Sequence, residues 1–288
     1  MEGLKGKFSS LRGKFSNFLA RFVSAVFLVL AIVLLLWWGD VPFLVGMTII
    51  IAIGLWEFYR ILAHHGYSPA TFLALPVGVA LPIVSFFIKD KPQDLAPLTA
   101  LLCGFLALVF LWYVMRPGQP HAVASIALTF TGVFLISFTL SHFVLMLRFD
   151  DIHWTAPFTV IVMVWVYDAI AYFAGSAIGR HKLSPKVSPN KSWEGLIAGT
   201  LATFIAAWVL KITVSRGWLS YGVAFTLAAI VCLAAPLGDL SESLIKRELE
   251  VKDMSDLIPG HGGILDRFDS MLFTAVIAYY YLRFIIKL

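Results

Sequence analysis

Asp266 and Asp269 stand three residues apart at the start of the last apolar run, with Arg267 between them and "PGHGG" (259–263) just upstream. Further upstream, "GDLSESLIKREL" brings Asp239, Ser243, Lys246 and Arg247, and "EVKD" adds Lys252 and Asp253. Oxygen donors gathered with lysine and arginine, one histidine (His261) and no cysteine favour Mg²⁺ over zinc. Mg²⁺ is typically held by one or two carboxylates together with substrate phosphates, which suits phosphoryl or nucleotidyl transfer. That chemistry needs cations to neutralise charge on the transferring phosphorus and its leaving group, and positioning more than proton transfer. Pro259, Gly260, Gly262 and Gly263 break any helix and let backbone approach a ligand. Asp266 and Asp269, at i and i+3, project from one face as the final span begins. The competing reading is a charged loop whose acids and bases pair with one another, and a lone DxxD would favour it. Glycine-flanked acids, a histidine and two basic pairs within about thirty residues favour a site.

A second polar stretch, "YDAIAYFAGSAIGRHKLSPKVSPNKSWEG", covers 167–195. Asp168, Tyr172, Gly175 and Gly179 follow the spacing of one helix face. An Asp inside a span is costly in hydrocarbon and turns to a polar cavity or a partner; a structural pairing with a buried Lys or Tyr is the alternative. Gly175 and Gly179 form a small-xxx-small pair, a helix-packing device more often than a ligand approach. Arg180, Lys182, Lys186 and Lys191 follow among prolines and serines. Ser192 is placed to cap the next helix, with Glu194 in its first turn. A proline-stiffened loop with lysines leading into a helix N-terminus suits phosphate, although "NKS" lacks the glycines of a Walker A motif. By composition alone, a solvated cytoplasmic loop that obeys the positive-inside rule is the favoured reading of this stretch.

The elements that must position these residues are membrane helices. The chain has 288 residues, 60% of them hydrophobic, with only 14% charged and a mean hydropathy of +0.87. Several apolar runs reach the roughly 20 residues that span a bilayer core. The expected class is therefore all-α, a polytopic transmembrane protein of about nine spans: 22–38, 41–62, 70–88, 96–115, 122–147, 157–178, 195–214, 219–238 and 270–287. Glu57 and Arg60 sit oddly in the second of these, and Pro76 and Pro82 predict a kink in the third. Asp239 is expected to end a span, with Ser243, Lys246, Arg247 and Glu250 on one face of a helix that follows.

With the N-terminus in the cytoplasm, fifteen Lys and Arg fall on the cytoplasmic side and seven opposite. That asymmetry obeys the positive-inside rule and puts both long polar loops, 179–194 and 239–269, in one compartment. Residues 1–21 form a basic cytoplasmic segment, read either as an amphipathic surface helix or as a tail. Residues 22–156 make an N-terminal set of spans and 157–288 the region that carries the unusual polar residues. Cys103 and Cys232 lie inside apolar runs without metal or disulfide spacing. The net charge of +5 is not gathered into a patch, so no nucleic acid is expected.

The stretch "SLIKRELEVKDMSDLIPGHGGILDRFD", 243–269, resembles the signature of phosphatidate cytidylyltransferases, also called CDP-diacylglycerol synthases. The family pattern is met by Ser243, Lys246, Arg247, Lys252, Asp253, Ser255, His261, Gly262, Gly263, Asp266, Arg267 and Asp269. The resemblance extends through "GDLSES" and "SPNKSWEG", from about 165 onward. It implies an integral membrane enzyme that joins CTP to phosphatidate with release of pyrophosphate. It further implies Mg²⁺ on Asp239 and Asp266, with Asp269 a third ligand or an orienter, and leaves a second cation open. By the same resemblance Lys246, Arg247, Lys252 and Arg267 hold triphosphate or lipid phosphate, and His261 contacts phosphate or fixes its loop. Ser243, Asp253, Gly262 and Gly263 belong to the same substrate-binding set, with Lys191, Ser192 and Asp168 as weaker members. CTP and phosphatidate are the expected partners, a homodimer is left open, and the expected location is a bacterial inner (plasma) membrane with the site facing the cytoplasm. Two rival readings are a CTP-dependent polyprenol or phytol kinase and, outside enzymes, a secondary transporter. The transporter would account for Glu57 and Asp168 but not for two polar constellations on one side.

Overall fold

The computed structural model describes residues 27–88, 95–149, 152–214, 217–257 and 262–287. The 1–21 segment, the first residues of the 22–38 span, and His261 lie outside them. The helices run α1 (Phe27–Trp38), α2 (Asp40–His64), α3 (Thr71–Phe87), α4 (Ala96–Val114), α5 (Ala122–Gly132), α6 (Thr139–Met146), α7 (Thr155–Ile178), α8 (Trp193–Thr213), α9 (Tyr221–Glu248), α10 (Leu265–Phe268) and α11 (Met271–Tyr280). A π turn, Val133–Phe138, joins α5 and α6 into one rod, and another, Tyr281–Ile286, extends α11. Among the described residues, six rods are long and apolar enough to cross a membrane: α2, α4, the joined α5–α6, α7, α8 and α9. Phe27–Trp38, Thr71–Phe87 and Met271–Ile286 are shorter apolar helices.

Two expectations need correction. The 179–194 segment is not plain loop: β1 (Lys182–Ser184) and β2 (Ser188–Ser192) pair antiparallel, Lys182 opposite Ser192, with a bulge between the pairs. This hairpin is the only sheet among the described residues. Nor does a separate helix follow Asp239. Helix α9 continues unbroken from Tyr221 to Glu248. Helical backbone satisfies its own hydrogen bonds wherever it runs, so a polar residue turned inward gives no reason to stop. Even Pro236, inside α9, leaves the helix intact.

Helix α2 packs among α3, α5, α6 and α10, with Phe43, Met47, Ile51, Leu55, Phe58, Tyr59 and Leu62 almost wholly enclosed. Hydroxyl groups tie its neighbours together where lipid offers no partner. Tyr59 donates to the Thr129 carbonyl (2.6 Å) and Tyr113 to the Ser68 carbonyl (2.5 Å), while Ala70 N donates to Thr129 Oγ1 (3.0 Å). Gly132 lets the Tyr59 ring in, since a Cβ there would lie 2.5 Å from Tyr59 Cζ and 2.8 Å from Cε1. Gly132→Ala is expected to cost about 1–3 kcal/mol through overpacking. An unchanged thermal unfolding curve in detergent would show that the ring has room to move.

The C-terminal half packs through small residues. A Cβ on Gly195 would meet the Ala171 carbonyl at 2.6 Å, and one on Gly199 would meet the Tyr167 carbonyl at 3.0 Å. Gly175 and Gly179 press on the Ser192 side chain. Close backbone approach of this kind is how helices associate without a hydrophobic driving force between them. Along α9, Ala224, Leu227, Ala228, Val231, Ala234 and Ala235 are buried, and α11 packs there with Leu272, Ala275 and Ala278. Leu106, Phe110 and Leu111 of α4 and Leu201, Ile205 and Trp208 of α8 face outward, an apolar surface suited to lipid.

Candidate active site

Helix α9 sets out Asp239, Glu242, Ser243 and Lys246 at i, i+3, i+4 and i+7, one inward stripe. Gly238 brings that stripe against the chain between α10 and α11. A Cβ there would collide with the Asp269 carbonyl oxygen and lie 3.4 Å from the Ser270 Cα. Two acidic positions far apart in sequence, 239 and 269, thus become neighbours through backbone contact.

The hairpin supplies the next member. Lys191 of β2 reaches across to α9, its Nζ 2.7 Å from Asp239 Oδ2. Ser243 Oγ donates to Asp239 Oδ1 (3.2 Å). Arg247, though exposed, donates through Nε to the Val187 carbonyl (3.2 Å) and through Nη1 to the Val251 carbonyl (3.3 Å). It therefore holds the hairpin turn to the end of α9 instead of standing among the acids. Ser192 caps α8, accepting from Gly195 N (3.2 Å), and is buried against Gly175 and Gly179. Its oxygen does the work of a helix cap.

Lys246, 8% exposed, donates to Asp266 Oδ1 (2.6 Å) and lies 3.5 Å from Glu242 Oε1. The other Asp266 oxygen accepts from Met254 N (2.9 Å) and Gly263 N (2.8 Å). Asp266 thus ties Met254 and Gly263 to Lys246 of α9. Gly262 has φ +78°, in the left-handed region, and a Cβ there would lie 2.8 Å from Asp266 Oδ2 and 3.1 Å from Asp253 Cβ. Glycine is needed on both counts. Lys252 and Arg267 are exposed, and Asp253 is half-buried.

Asp269, also buried, accepts from Ser270 N at Oδ1 (2.7 Å). The Ser270 hydroxyl lies 3.1 Å from Asp168 Oδ1 and 3.4 Å from Asp269 Oδ1, so its single proton serves one carboxylate at a time. Burial first, and then the charge of Asp239, push the Asp269 carboxyl up to about 6. Of the expected face on α7, Asp168 turns to this acidic group, Gly175 and Gly179 turn to α8, and Tyr172 is exposed.

Two acids were not assigned from the sequence. Glu242 is 1% exposed, with no hydrogen-bond partner on either carboxylate oxygen. Its place between Asp239 and Lys246 on one helix face was the available signal. Glu57, also 1% exposed, reaches the 255–265 segment from α2; a carboxylate within a span was its signal. Among the described residues, no three His, Cys, Asp or Glu side chains are grouped closely enough to hold a metal unaided. The ammonium groups of Lys191 and Lys246 meet part of the negative charge instead.

The chain can also be placed among known proteins. A family model described as "Cytidylyltransferase family" matches residues 19–285. The chain is 28% identical over 263 residues to a phosphatidate cytidylyltransferase of Bacillus subtilis (strain 168), covering 90% of this chain and 93% of that one. It is 36% identical over 214 residues to the protein of that name from Thermotoga maritima, covering 73% and 77%. With the Brucella abortus (strain 2308) protein of the same name it shares 32% identity over 262 residues, covering 90% and 91%.

Proposed function

This chain belongs to the cytidylyltransferase family, and from that premise we propose that it condenses CTP with phosphatidate to CDP-diacylglycerol and pyrophosphate. The observation that carries the proposal is the junction of the two polar stretches: Lys191 of the hairpin on Asp239 of α9, beside Lys246 on Asp266. A phosphate-rich substrate and a cation would both find partners there. The outward-facing apolar surface of the surrounding helices gives a diacyl substrate access from the bilayer.

In the reaction a phosphate oxygen of phosphatidate attacks the α-phosphorus of CTP. The bond from that phosphorus to the oxygen bridging toward the β-phosphorus breaks, and pyrophosphate leaves. Negative charge gathers on the leaving group, and the protein's part is to hold and neutralise it. Lys191 exchanges Asp239 for substrate phosphate, while the exposed Lys252 and Arg267 receive the triphosphate. Arg247 keeps the hairpin in place. Lys246 and Asp266 hold the loop and α9 in register.

The donor set fits Mg²⁺. Asp239, Asp269 and Asp168 offer only oxygen, and the charge of Asp239 is part of what raises Asp269. Mg²⁺ is commonly bound by one or two carboxylates and completes its shell with phosphate and water, so no ready-made trio is required. The resemblance implies Asp239 and Asp266. We place the ion on Asp239 and Asp269, because Asp239 is released when Lys191 turns to substrate phosphate, whereas Asp266 stays held by Lys246 and two backbone amides. When bound, it would supply charge neutralisation at the triphosphate.

We further propose nine spans, with the three shorter helices crossing alongside the six long ones. The N-terminus is cytoplasmic and the site faces the cytoplasm from a bacterial plasma membrane. The excess of Lys and Arg on the N-terminal side supports this sidedness.

The test uses purified protein in detergent with Mg²⁺, phosphatidate and CTP labelled at the α-phosphorus. Label should pass into the lipid fraction with one pyrophosphate released per label transferred. Label retained in CDP, with a phosphorylated prenol as product, would replace this reading with the kinase.

A further inference from the structure

Glu57 lies in the N-terminal half, outside every stretch that resembles the family signature, yet it contacts the loop that carries the signature's last acids. Its Oε1 accepts from Ser255 Oγ (2.5 Å) and Ile264 N (3.0 Å), and its Oε2 accepts from Leu265 N (2.9 Å). One buried carboxylate on α2 thus grips the chain on both sides of 256–263, from a position 208 residues away in sequence. The fit is close enough to exclude any side chain at Gly263, where a Cβ would lie 2.6 Å from Glu57 Oε2.

We propose that Glu57 is a positioning residue for cytidylyl transfer, setting the start of α10 so that Asp266 and Asp269 meet α9 in working register. The inference rests on the reading of 253–269 as the catalytic loop. Ile264 and Leu265 immediately precede Asp266, so their amides fix the direction in which that acid leaves the backbone. Gly263 N, next to them, is one of the two backbone donors to Asp266 Oδ2. Releasing Glu57 would free the loop on the side opposite Lys246 and let Asp266 and Asp269 drift from Asp239. The N-terminal helices then take part in the site, with α2 holding one side of it. A carboxylate suits the task because all three contacts are donors, and it accepts them with no proton of its own to place. Leucine offers no acceptor, and glutamine presents an amide that faces a donor.

The experiment compares wild type with Glu57→Gln, Glu57→Leu, Ser255→Ala and the double variant Glu57→Gln/Ser255→Ala. It measures kcat, KM for each substrate, thermal unfolding, and hydrogen exchange over 262–270. Supporting residues of this kind cost about 10- to 100-fold when altered. Glu57→Gln should therefore lower kcat about tenfold and Glu57→Leu about a hundredfold, with KM for phosphatidate within about twofold of wild type. Exchange over 262–270 should quicken while the rest of the bundle is unchanged. Ser255→Ala should cost about fivefold, the size of one hydrogen bond, and add little once Glu57 is already Gln. Losses that merely follow the unfolding temperature, or a double variant whose losses multiply, would overturn the inference. If the Glu57 variants do not fold, Ser255→Ala decides alone, because its half-buried loop position leaves the bundle intact; wild-type kcat and exchange there would refute it. A wild type that transfers no cytidylyl group would defeat the functional reading, and the exchange data would still show whether Glu57 orders the loop.

Discussion

Asp239→Asn is expected to lower kcat for cytidylyl transfer about a hundred- to a thousandfold while the helices stay folded. Asparagine keeps the shape and accepts from Ser243 through its remaining oxygen, but the charge is gone. Lys191 then loses its ion pair, and the cation loses one of the two carboxylates assigned to it. A bound metal typically supplies several kcal/mol of charge stabilisation in the transition state, and each 1.36 kcal/mol is a factor of ten in rate. Asp168→Asn should cost only about tenfold, because Asp168 meets the acidic group through the Ser270 hydroxyl and stands one step further from the chemistry. Initial rates with labelled CTP decide the matter. Equal losses in the two variants would mean that Asp239 has no special place, and wild-type rates in Asp239→Asn would remove it from the site.

The second large effect concerns stability. Lys246→Met is expected to destabilise the protein by about 3–5 kcal/mol, the usual cost of removing one partner from a buried ion pair. Glu242, with neither oxygen hydrogen-bonded, would then face Asp266 and Asp269 without a neutralising ammonium. Replacing buried charges by apolar groups of similar volume is often nearly neutral, so Lys246→Met/Glu242→Leu should regain part of that loss. The rest stays with Asp266, which keeps its burial and loses its ammonium. Activity should not return with it, because Asp266 would still lack the donor that ties it to α9. Thermal unfolding in detergent and the labelled-CTP assay on the same preparations separate the two effects. A double variant no more stable than the single one would show that Glu242 does not oppose Lys246's removal.

Helix α9 shows how far the sequence could be read. Its apolar run from 219 to 238 announced a membrane helix, since hydrocarbon admits helical backbone and penalises most alternatives. The polar residues beyond Pro236 looked like an exit into water, yet the helix continues to Glu248 because its acids and lysine turn inward to partners. The 179–194 stretch is visibly polar and basic, but its pairing into a hairpin is hidden among prolines and serines that suit a loop. Ser192 was legible as a cap from its place before "WEG", and it is one.

By itself, the amino-acid sequence determined that this chain is a helical membrane protein, and it pointed to chemistry on phosphate. It also set out the acids, lysines and glycines to which we assign that chemistry, because hydropathy and residue type are local properties. Tertiary structure alone decided which of these meet. Lys191 joins Asp239, Lys246 joins Asp266, Gly238 admits the Asp269 backbone, and Glu57 crosses from the other half of the chain to hold the loop. Such partnerships depend on how helices far apart in sequence pack side by side, and no local pattern records that packing.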